Sequence, residues 1–317
     1  MPRVIKDGHA AGSNTKCPSL SVSPAPSLQS LSPSKSNPSI NPSIKHLIIN
    51  GTLPGKQDPT PIMHLILTGA TGLVGSGVLD AMIKMKDVTK ISILSRRPIP
   101  MADDAKDPRI NVIIHKDFEK YDPELLDKLR GANGAVWALG ISQNKISKED
   151  YVKITKDYAL EAARAFADLP PDDEPFRFVY VSGEGATQQP GRFSALFARV
   201  KGETETLLSA MRAANPRLRA ESVRPAFVDR AHHDAIKPYA PDPGLLYNLM
   251  NAYLGPLTRT FVPSFVSPTE VLGRFMTEMA MGRVDDGLAA GGRGIITLNG
   301  GLRIVENTGF RRLAGLP

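Results

Sequence analysis

The sequence predicts an α/β fold in which a doubly wound parallel sheet carries helices on both faces. Two observations point to it: from Met63 onward short apolar segments alternate with longer helical ones, and the first apolar segment runs into a glycine-rich turn. Apolar strands separated by helices are buried on both faces, as a parallel sheet requires. The composition agrees with a globular protein, because 41% of the 317 residues are hydrophobic and 22% are charged.

Each strand is predicted from a short apolar run bounded by polar or turn residues. The strands cover residues 65–67, 91–94, 110–115, 135–139, 178–181 and 220–223, with one more at 295–298. Longer segments between them predict helices from the glycine-rich turn to about Met85, over about 148–167 and 194–214, and near 245–254 and 269–281. Residues 226–290, which several prolines interrupt, are expected to form a substrate lid, because ligands bind beyond the carboxyl ends of the strands in this fold.

Residues 1–62 differ from the rest of the chain. They contain 11 serines, 10 prolines and no Phe, Trp or Tyr, so they cannot bury enough apolar surface to offset chain entropy and are predicted to be disordered. A flexible tail, a targeting segment and a translation start at Met63 are the explanations left open. Targeting ranks lowest, because a transit peptide should be richer in arginine. Residues 63–317 are predicted to form one domain.

Charge, cysteine content and hydropathy exclude several classes of protein. Six basic and two acidic residues give the tail +4 of the net charge of +7, and residues 63–317 show no long basic run, so nucleic-acid binding is not predicted. Cys17 is the single cysteine, which excludes a disulfide framework and a cysteine-based zinc site. No apolar run reaches the roughly 18 residues that a membrane-spanning helix needs, and no integral membrane segment is predicted.

The motif with the clearest chemistry is Thr68-Gly69-Ala70-Thr71-Gly72-Leu73-Val74-Gly75, with glycines spaced G-x-x-G-x-x-G between a strand and a helix. Gly69 allows the tight turn, Gly72 a close approach of the backbone to a pyrophosphate, and Gly75 the packing of the helix on the sheet. The pyrophosphate would lie at the helix N-terminus, where free N–H groups and the helix dipole favour an anion. The motif predicts a dinucleotide cofactor on a Rossmann fold. It is not a P-loop, because no Gly-Lys-Ser or Gly-Lys-Thr follows.

The end of the second strand distinguishes between cofactors. A preference for NAD usually goes with an acidic residue at this position, which binds the ribose hydroxyls. Here the strand ends in Ser95-Arg96-Arg97-Pro98. Two guanidinium groups and a hydroxyl suit a 2′-phosphate, because arginine makes planar, charge-assisted contacts. The sequence therefore predicts NADP(H), with NAD(H) as the less favoured cofactor.

These motifs and several others resemble the atypical and extended short-chain dehydrogenases/reductases, and most of all their Tat-interacting-protein-like oxidoreductase branch. The matching stretches, in order, are residues 68–75, Ser95-Arg96-Arg97, Asp117-Phe118, residues 138–142, Asp157-Tyr158, Ser182, residues 200–203, Arg224-Pro225 and Val305-Glu306-Asn307. The resemblance implies that Asp117 hydrogen-bonds the adenine amino group and that Phe118 packs beside the ring. It implies that Leu139 and Gly140 line the ribose side and that Pro225 shapes the loop at the nicotinamide. It also implies a cytoplasmic protein, with association with mitochondria as the alternative.

The chain departs from the family at the group that handles the proton. The resemblance implies a Tyr-x-x-x-Lys pair on one helix face and a serine that helps to polarise the substrate oxygen. Here the stretch reads Phe197-Ala198-Arg199-Val200-Lys201, so a residue without a proton to give replaces the tyrosine. Ser182 and Lys201 are the predicted catalytic residues, and Lys201 is also predicted to hold the nicotinamide ribose. Five other tyrosines are interpreted as ordinary half-buried residues, namely Tyr151, Tyr158, Tyr239, Tyr247 and Tyr253.

Three functions fit these residues. The first is an NADP(H)-dependent reductase that transfers hydride to a small carbonyl or conjugated substrate, with the proton taken from Lys201, Ser182 or water. The second is a regulatory module that binds NADP(H) without turnover and acts on a protein partner, which the loss of the tyrosine would explain. A sugar-nucleotide epimerase or dehydratase ranks last, because those enzymes generally need the same tyrosine. No metal site is predicted, since the adjacent His232 and His233 do not share a face in regular structure.

Overall fold

The fold comes from a computed structural model in which residues 63–143, 146–171, 174–241 and 262–317 are described. The predicted disordered tail and the helix predicted near 245–254 lie outside these residues, as do Tyr247 and Tyr253.

The described chain is built around one large sheet. Its strands are β1 (His64–Thr68), β2 (Lys90–Ser95), β3 (Ile110–Ile114), β4 (Gly134–Trp137), β5 (Phe176–Val181), β6 (Leu218–Arg224), β9 (Ile295–Thr297) and β10 (Arg303–Glu306), while β7 (Phe227–Asp229) and β8 (Val266–Pro268) form a separate parallel pair. The strand order is β3-β2-β1-β4-β5-β6-β10-β9, and only the β9–β10 pair is antiparallel. The predicted doubly wound α/β fold is confirmed. The chain order reverses between β1 and β4, which is where such sheets bind their ligands.

Helices cover both faces of this sheet. They are α1 (Leu73–Lys84), α2 (Pro100–Ala105), α3 (Pro123–Leu129), α4 (Lys148–Val152), α5 (Tyr158–Phe166), α6 (Leu196–Ala214), α7 (Thr269–Ala280), α8 (Asp285–Ala289) and α9 (Asn307–Leu313). A π-helical turn, Lys153–Asp157, joins α4 to α5, and two 3₁₀ turns occupy Asp234–Ile236 and Pro263–Phe265. Local sequence explains several helix starts, because Asp122 and Ser147 accept hydrogen bonds from backbone N–H groups in the first turns of α3 and α4.

Each face of the sheet forms its own hydrophobic core, as the alternation along β1 shows. Leu65 and Leu67 point to the core that α1 and α7 cover. Ile66 points to the opposite core, where it packs with Trp137 and with apolar residues of α5. All three β1 side chains are fully buried, which is why this strand reads as a continuous apolar run.

α1 and α7 cross at a contact between two glycines. A Cβ atom on Gly273 would lie 2.2 Å from the carbonyl oxygen of Gly77, so any larger residue would force the helices apart. Leu272, Phe275 and Met276 of α7 are buried in the core beside α1. α7 falls within the region predicted to be a lid, and in the structure it is a core helix. The lid itself stays a prediction.

The structure departs from the sequence-based elements in several places, and the short helices α2, α3, α8 and α9 were not predicted. The helix predicted over 148–167 is divided into α4, the π-helical turn and α5. The strand predicted to end at residue 139 ends at Trp137, and the backbone of Ala138 then lies close to Gly69 of the glycine-rich turn. β7, β8 and β10 were not predicted, since each has only three or four residues and β10 begins and ends in charged ones.

Candidate functional site

The glycine-rich turn is built as its spacing predicts. Gly69 has φ 72°, and a Cβ atom there would lie 2.3 Å from the carbonyl oxygen of Ala138, so only glycine fits. The N–H of Gly72 donates to the carbonyl oxygen of Gly69 at 2.8 Å, which closes the turn. A Cβ atom on Gly75 would lie 2.1 Å from the same carbonyl oxygen. No side chain caps α1, whose N-terminus therefore offers backbone N–H groups to an anion.

Beside this turn, at the carboxyl end of β2, lies a first cavity of about 420 Å³. It is lined by Gly69, Thr71, Leu94, Ser95, Arg96, Arg97, Phe118 and Leu139. Arg96 and Arg97 are exposed, and neither guanidinium is bonded or paired to any described residue. The hydroxyl of Ser95 accepts a hydrogen bond from the backbone N–H of Arg97 at 3.3 Å, which orders this strand end. The two cations are thus available to a ligand in the cavity.

A second cavity, of about 390 Å³, lies at the carboxyl ends of β4, β5 and β6. The predicted residues among its lining are Gly72, Leu73, Val74, Leu139, Gly140, Ser182, Lys201 and Pro225. Leu139 lines both cavities, so the two adjoin along the carboxyl edge of the sheet. An extended ligand could therefore reach from Arg96 at one end to Lys201 at the other. The structure brings together all but two of the predicted site residues in this pair of cavities.

The two exceptions are Gly75 and Asp117. Gly75 packs against the turn itself, since a Cβ atom there would meet the backbone of Gly69 and Ala70. Asp117 is exposed, and its Oδ1 accepts a hydrogen bond from the backbone N–H of Glu119 at 3.1 Å. Phe118, the next residue, is buried and contributes to the first cavity. The adenine contact of Asp117 stays a prediction.

Lys201 and Ser182 meet at the second cavity. The Nζ of Lys201 donates to the carbonyl oxygen of Ser182 at 2.7 Å and to that of Val181 at 3.3 Å. Burial lowers the pKa of Lys201 to about 8, although the negative charge of Glu205 opposes the change. The side-chain oxygen of Ser182 is buried without a hydrogen-bond partner in the described chain. A buried hydroxyl without a partner is costly, so a ligand atom in the cavity would be favoured there.

Phe197 lies one helical turn before Lys201, yet it lines neither cavity. The tip of its ring, Cζ, is 3.7 Å from the position that a Cβ atom on Gly185 would take. Its backbone N–H donates to Oε1 of Gln143 at 2.9 Å, and this bond holds the start of α6 against the loop after β4. The position where the resemblance implies a tyrosine therefore carries a ring without a hydroxyl, outside both cavities.

Among the described tyrosines, Tyr180 alone lines one of these two cavities. Its hydroxyl donates to the carbonyl oxygen of Thr155 at 3.2 Å, and burial raises its pKa far above the usual range. Tyr151 is buried, and burial raises its pKa as well. Tyr158 packs near Phe118, and the hydroxyl of Tyr239 donates to Asp104 at 2.7 Å.

Several residues that line the second cavity were given no role by the sequence analysis, although three of them lie in the matching stretch 138–142. They are Ala138, Ile141, Ser142, Thr155, Tyr180, Val181, Ala226 and Val228. Most are apolar, so no chemical pattern marks them. Thr155 reaches the cavity from the π-helical turn, a feature often found at functional sites but without a signature in sequence.

One group of potential metal ligands lies away from this edge, beside a cavity of about 380 Å³ that His233 and Glu270 help to line. Asp80, His233 and Glu270 bring their ligand atoms within 4.8 Å of one another. The ammonium of Lys84 already bridges Asp80 at 2.7 Å and Glu270 at 3.1 Å. The ring of His233 is bonded on both sides, to Asp80 and to Thr269, each at 2.9 Å. The ammonium of Lys84 thus supplies a positive charge between the two carboxylates. The absence of a metal site stays a prediction.

Within the described part of the chain, no helix is long and apolar enough to cross a membrane.

The fold and the paired cavities define a doubly wound α/β protein with its candidate site at the carboxyl edge of a parallel sheet. No family model matches the chain. It is 45% identical over 159 residues to Botcinic acid biosynthesis cluster B protein 16 of Botryotinia fuckeliana, covering 50% of this chain and 99% of that protein. It is 32% identical over 237 residues to Leucinostatins biosynthesis cluster protein T of Purpureocillium lilacinum, covering 69% of this chain and 85% of that protein.

More distant relatives include Protein HTATIP2 of Rattus norvegicus, 24% identical over 47% of this chain and 57% of that protein. Protein fmp52, mitochondrial, of Emericella nidulans is 29% identical over 47% of this chain and 61% of that protein. A short chain dehydrogenase/reductase of Saccharomyces cerevisiae has the same fold, with a TM-score of 0.55 at 14% identity, over 80% of this chain and all of that one. The chain belongs to one family with the two biosynthesis-cluster proteins, its fold is that of the short-chain dehydrogenases/reductases, and the resemblance to their atypical members drawn from the sequence is confirmed.

Proposed function

We propose that this protein is an NADP(H)-dependent reductase that transfers a hydride to a small carbonyl or conjugated substrate. The observation that carries the proposal is the pairing of Lys201 with Ser182 in the second cavity, where an amine and an unpartnered hydroxyl occur together. The rest of the lining is largely apolar. A few polar groups in an apolar cleft, next to a cradle for a dinucleotide, favour the reduction of a carbonyl group.

The residues present fit a nicotinamide dinucleotide. The tight turn at Gly69 and the uncapped start of α1 suit a pyrophosphate, and a side chain at this glycine would force the turn away from the backbone of Ala138. Phe118 and Asp117 would hold the adenine, and Leu139, Gly140 and Pro225 would line the path to the nicotinamide. The ammonium of Lys201 would hold the nicotinamide ribose. Bound in this way, the cofactor supplies the hydride.

NADP(H) is the proposed form of the cofactor because of Arg96 and Arg97. Both are exposed at the first cavity, and neither is paired with a carboxylate of the described chain. A 2′-phosphate there would receive charge-assisted hydrogen bonds from two guanidinium groups. No acidic side chain lines this cavity to bind ribose hydroxyls instead, among the residues described. NAD(H) would lack these contacts and is the less favoured form.

The proton is proposed to come from Lys201. With a pKa of about 8 the ammonium form predominates at neutral pH, yet the amine gives up its proton more readily than an exposed lysine. Ser182 would hydrogen-bond the substrate oxygen and place it beside this ammonium. Water would then restore the proton to Lys201.

A module that binds NADP(H) without turnover is the second candidate. Phe197 favours it, since the ring carries no proton and lies outside the cavity. Such a module would use the bound cofactor to change its affinity for a protein partner. A sugar-nucleotide epimerase or dehydratase remains the third candidate.

The remaining parts of the proposal concern the lid and the location. Ala226 and Val228 line the second cavity, and they support a contribution of the region after β6 to the substrate site. We propose a cytoplasmic location, with mitochondrial association as the alternative that the name of Protein fmp52, mitochondrial, supports.

The test begins with cofactor binding by the full chain. Trp137 is the only tryptophan, it is buried on β4, and its ring lies 5.9 Å from Phe118, centroid to centroid. Energy transfer from Trp137 to reduced nicotinamide should therefore saturate on titration, with a lower Kd for NADPH than for NADH. NADPH oxidation would then be followed with panels of ketones, enones and quinones. Turnover supports the reductase, tight binding with no turnover supports the binding module, and no binding by calorimetry contradicts both.

A further inference from the structure

Glu205 is an ionisable residue with no exposed surface, one helical turn beyond Lys201 on α6. Its Oε1 accepts a hydrogen bond from the hydroxyl of Ser222 at 2.9 Å and one from Nε of Arg224 at 3.0 Å. Its Oε2 accepts further bonds from Nη2 of Arg224 and from Nε2 of Gln188. A buried carboxylate is retained only when it is paired and fully hydrogen-bonded, and Glu205 meets both conditions.

The partners of Glu205 come from the elements that form the second cavity. Gln188 belongs to the loop that follows Ser182, and Arg224 ends β6 directly before Pro225. A second contact joins the same loop to α6, because a Cβ atom on Gly202 would lie 1.9 Å from the carbonyl oxygen of Thr187. These contacts therefore hold the loop after Ser182, helix α6 and strand β6 together, one helical turn beyond Lys201.

We propose that Glu205 is a positioning residue for Lys201: its carboxylate fixes α6 against β6 and the loop, so that the amine stays on the Ser182 carbonyl and keeps its proton. The inference rests on the proposed role of Lys201 in the reductase. It concerns a residue that lines neither cavity.

The charges around Lys201 support this assignment. On its own helix, Glu205 is the carboxylate that opposes the effect of burial on the lysine pKa. From β6 the charged group is Arg224, which is bound to Glu205. From β5 and the π-helical turn come Tyr180, whose hydroxyl stays protonated because burial raises its pKa, and Thr155, which is uncharged. Removing the carboxylate therefore leaves burial unopposed, and the lysine should lose its proton at a lower pH.

The experiment measures the titration of Lys201 itself. Full-length protein carrying ¹³Cε-lysine would be titrated by NMR, with the Lys201 signal identified by its absence in Lys201→Arg. In Glu205→Gln the midpoint is expected about one pH unit below that of the unaltered protein. Glu203→Gln is the matched control, because it removes the same charge from an exposed position on the same helix, where Glu203 pairs with Lys156 at 2.9 Å. Its midpoint should not move.

A conservative variant distinguishes positioning from mere stability. Glu205→Asp keeps the charge and should recover at least half of the shift seen with Glu205→Gln. If the unpaired guanidinium prevents Glu205→Gln from folding, Glu205→Gln/Arg224→Gln removes both charges, and its midpoint should still lie below that of the unaltered protein. A midpoint unchanged in whichever of these two variants folds overturns the proposal. Because no turnover is measured, a failure of the reductase in the NADPH assays is seen separately.

Discussion

The two ends of the cleft differ in how completely they keep the residues of the family. At the first cavity the glycine turn, the arginines and Phe118 are all present, and their contacts leave room for a dinucleotide. At the second cavity Lys201 and Ser182 are present, but Phe197 stands where the resemblance implies a tyrosine, and its ring lies toward Gly185. The two ends are supplied by different strands and helices, so the proposed binding of the cofactor and the proposed proton transfer can be tested separately.

The largest effect is expected at the binding end, from Gly69→Ala. A methyl group there would lie 2.3 Å from a backbone oxygen, on a residue with positive φ, so the turn must open. Calorimetry should find NADPH binding weakened at least 100-fold or lost. Gly131→Ala is the control, because Gly131 also has positive φ but has nothing within 4 Å of the added methyl. It should lower stability by roughly 1–2 kcal/mol and leave binding unchanged; equal loss in both variants would refute the argument.

At the other end, Lys201→Ala should lower NADPH-dependent turnover by about 10²- to 10⁴-fold, the usual contribution of a proton-transfer group. Lys156→Ala, on the π-helical turn and paired with Glu203, should have little effect. The rate of the unaltered enzyme should also fall as the pH rises through about 8, because the proton donor is the ammonium form of Lys201 and its lowered pKa places the loss there. A rate that is flat from pH 7 to 9, measured with saturating NADPH, would remove Lys201 as the acid.

A smaller effect is expected for the double variant Arg96→Ala/Arg97→Ala. Losing charge-assisted contacts to a 2′-phosphate should weaken NADPH binding by about 10- to 100-fold and leave NADH binding nearly unchanged. Arg130→Ala is the control, because Arg130 is an exposed arginine that pairs with the nearby Asp127 and does not line the first cavity. It should not alter the Kd of NADPH or of NADH. Equal weakening of NADPH and NADH would mean that the arginines recognise something other than the 2′-phosphate.

The sequence predicts the binding end better than the proton-transfer end, for physical reasons. At Gly69 and Gly75 the backbone leaves no room for a side chain, and the spacing of the glycines indicates this from the sequence alone. The strand before them is a plain apolar run. Thr155 and Tyr180 carry no such mark, because a π-helical turn and a strand-edge contact depend on tertiary packing. Glu205 was equally hidden, since a glutamate on a helix is ordinarily an exposed residue and its partners come from distant segments.

The same contrast explains why helix α7 was expected to belong to a lid. The prolines after β6 indicate an irregular region, but they do not show which part of it returns to the core. The tight contact of Gly77 with Gly273 carries that information, and it exists only once the two helices are paired. Pairwise contacts between remote glycines have no signature in a single sequence.

The smallest effect, and the sharpest test of the difference between the two ends, is expected from Phe197→Tyr. The new hydroxyl would extend from the ring tip beside Gly185, outside the second cavity, so turnover should rise less than about tenfold, well below the usual contribution of an acid. Phe193→Tyr is the control, because it adds a hydroxyl to an almost fully exposed ring in the segment just before α6. A gain of 100-fold or more in Phe197→Tyr alone would show that the ring reaches the reacting oxygen, and that this end of the cleft lost its tyrosine without losing the geometry that served it.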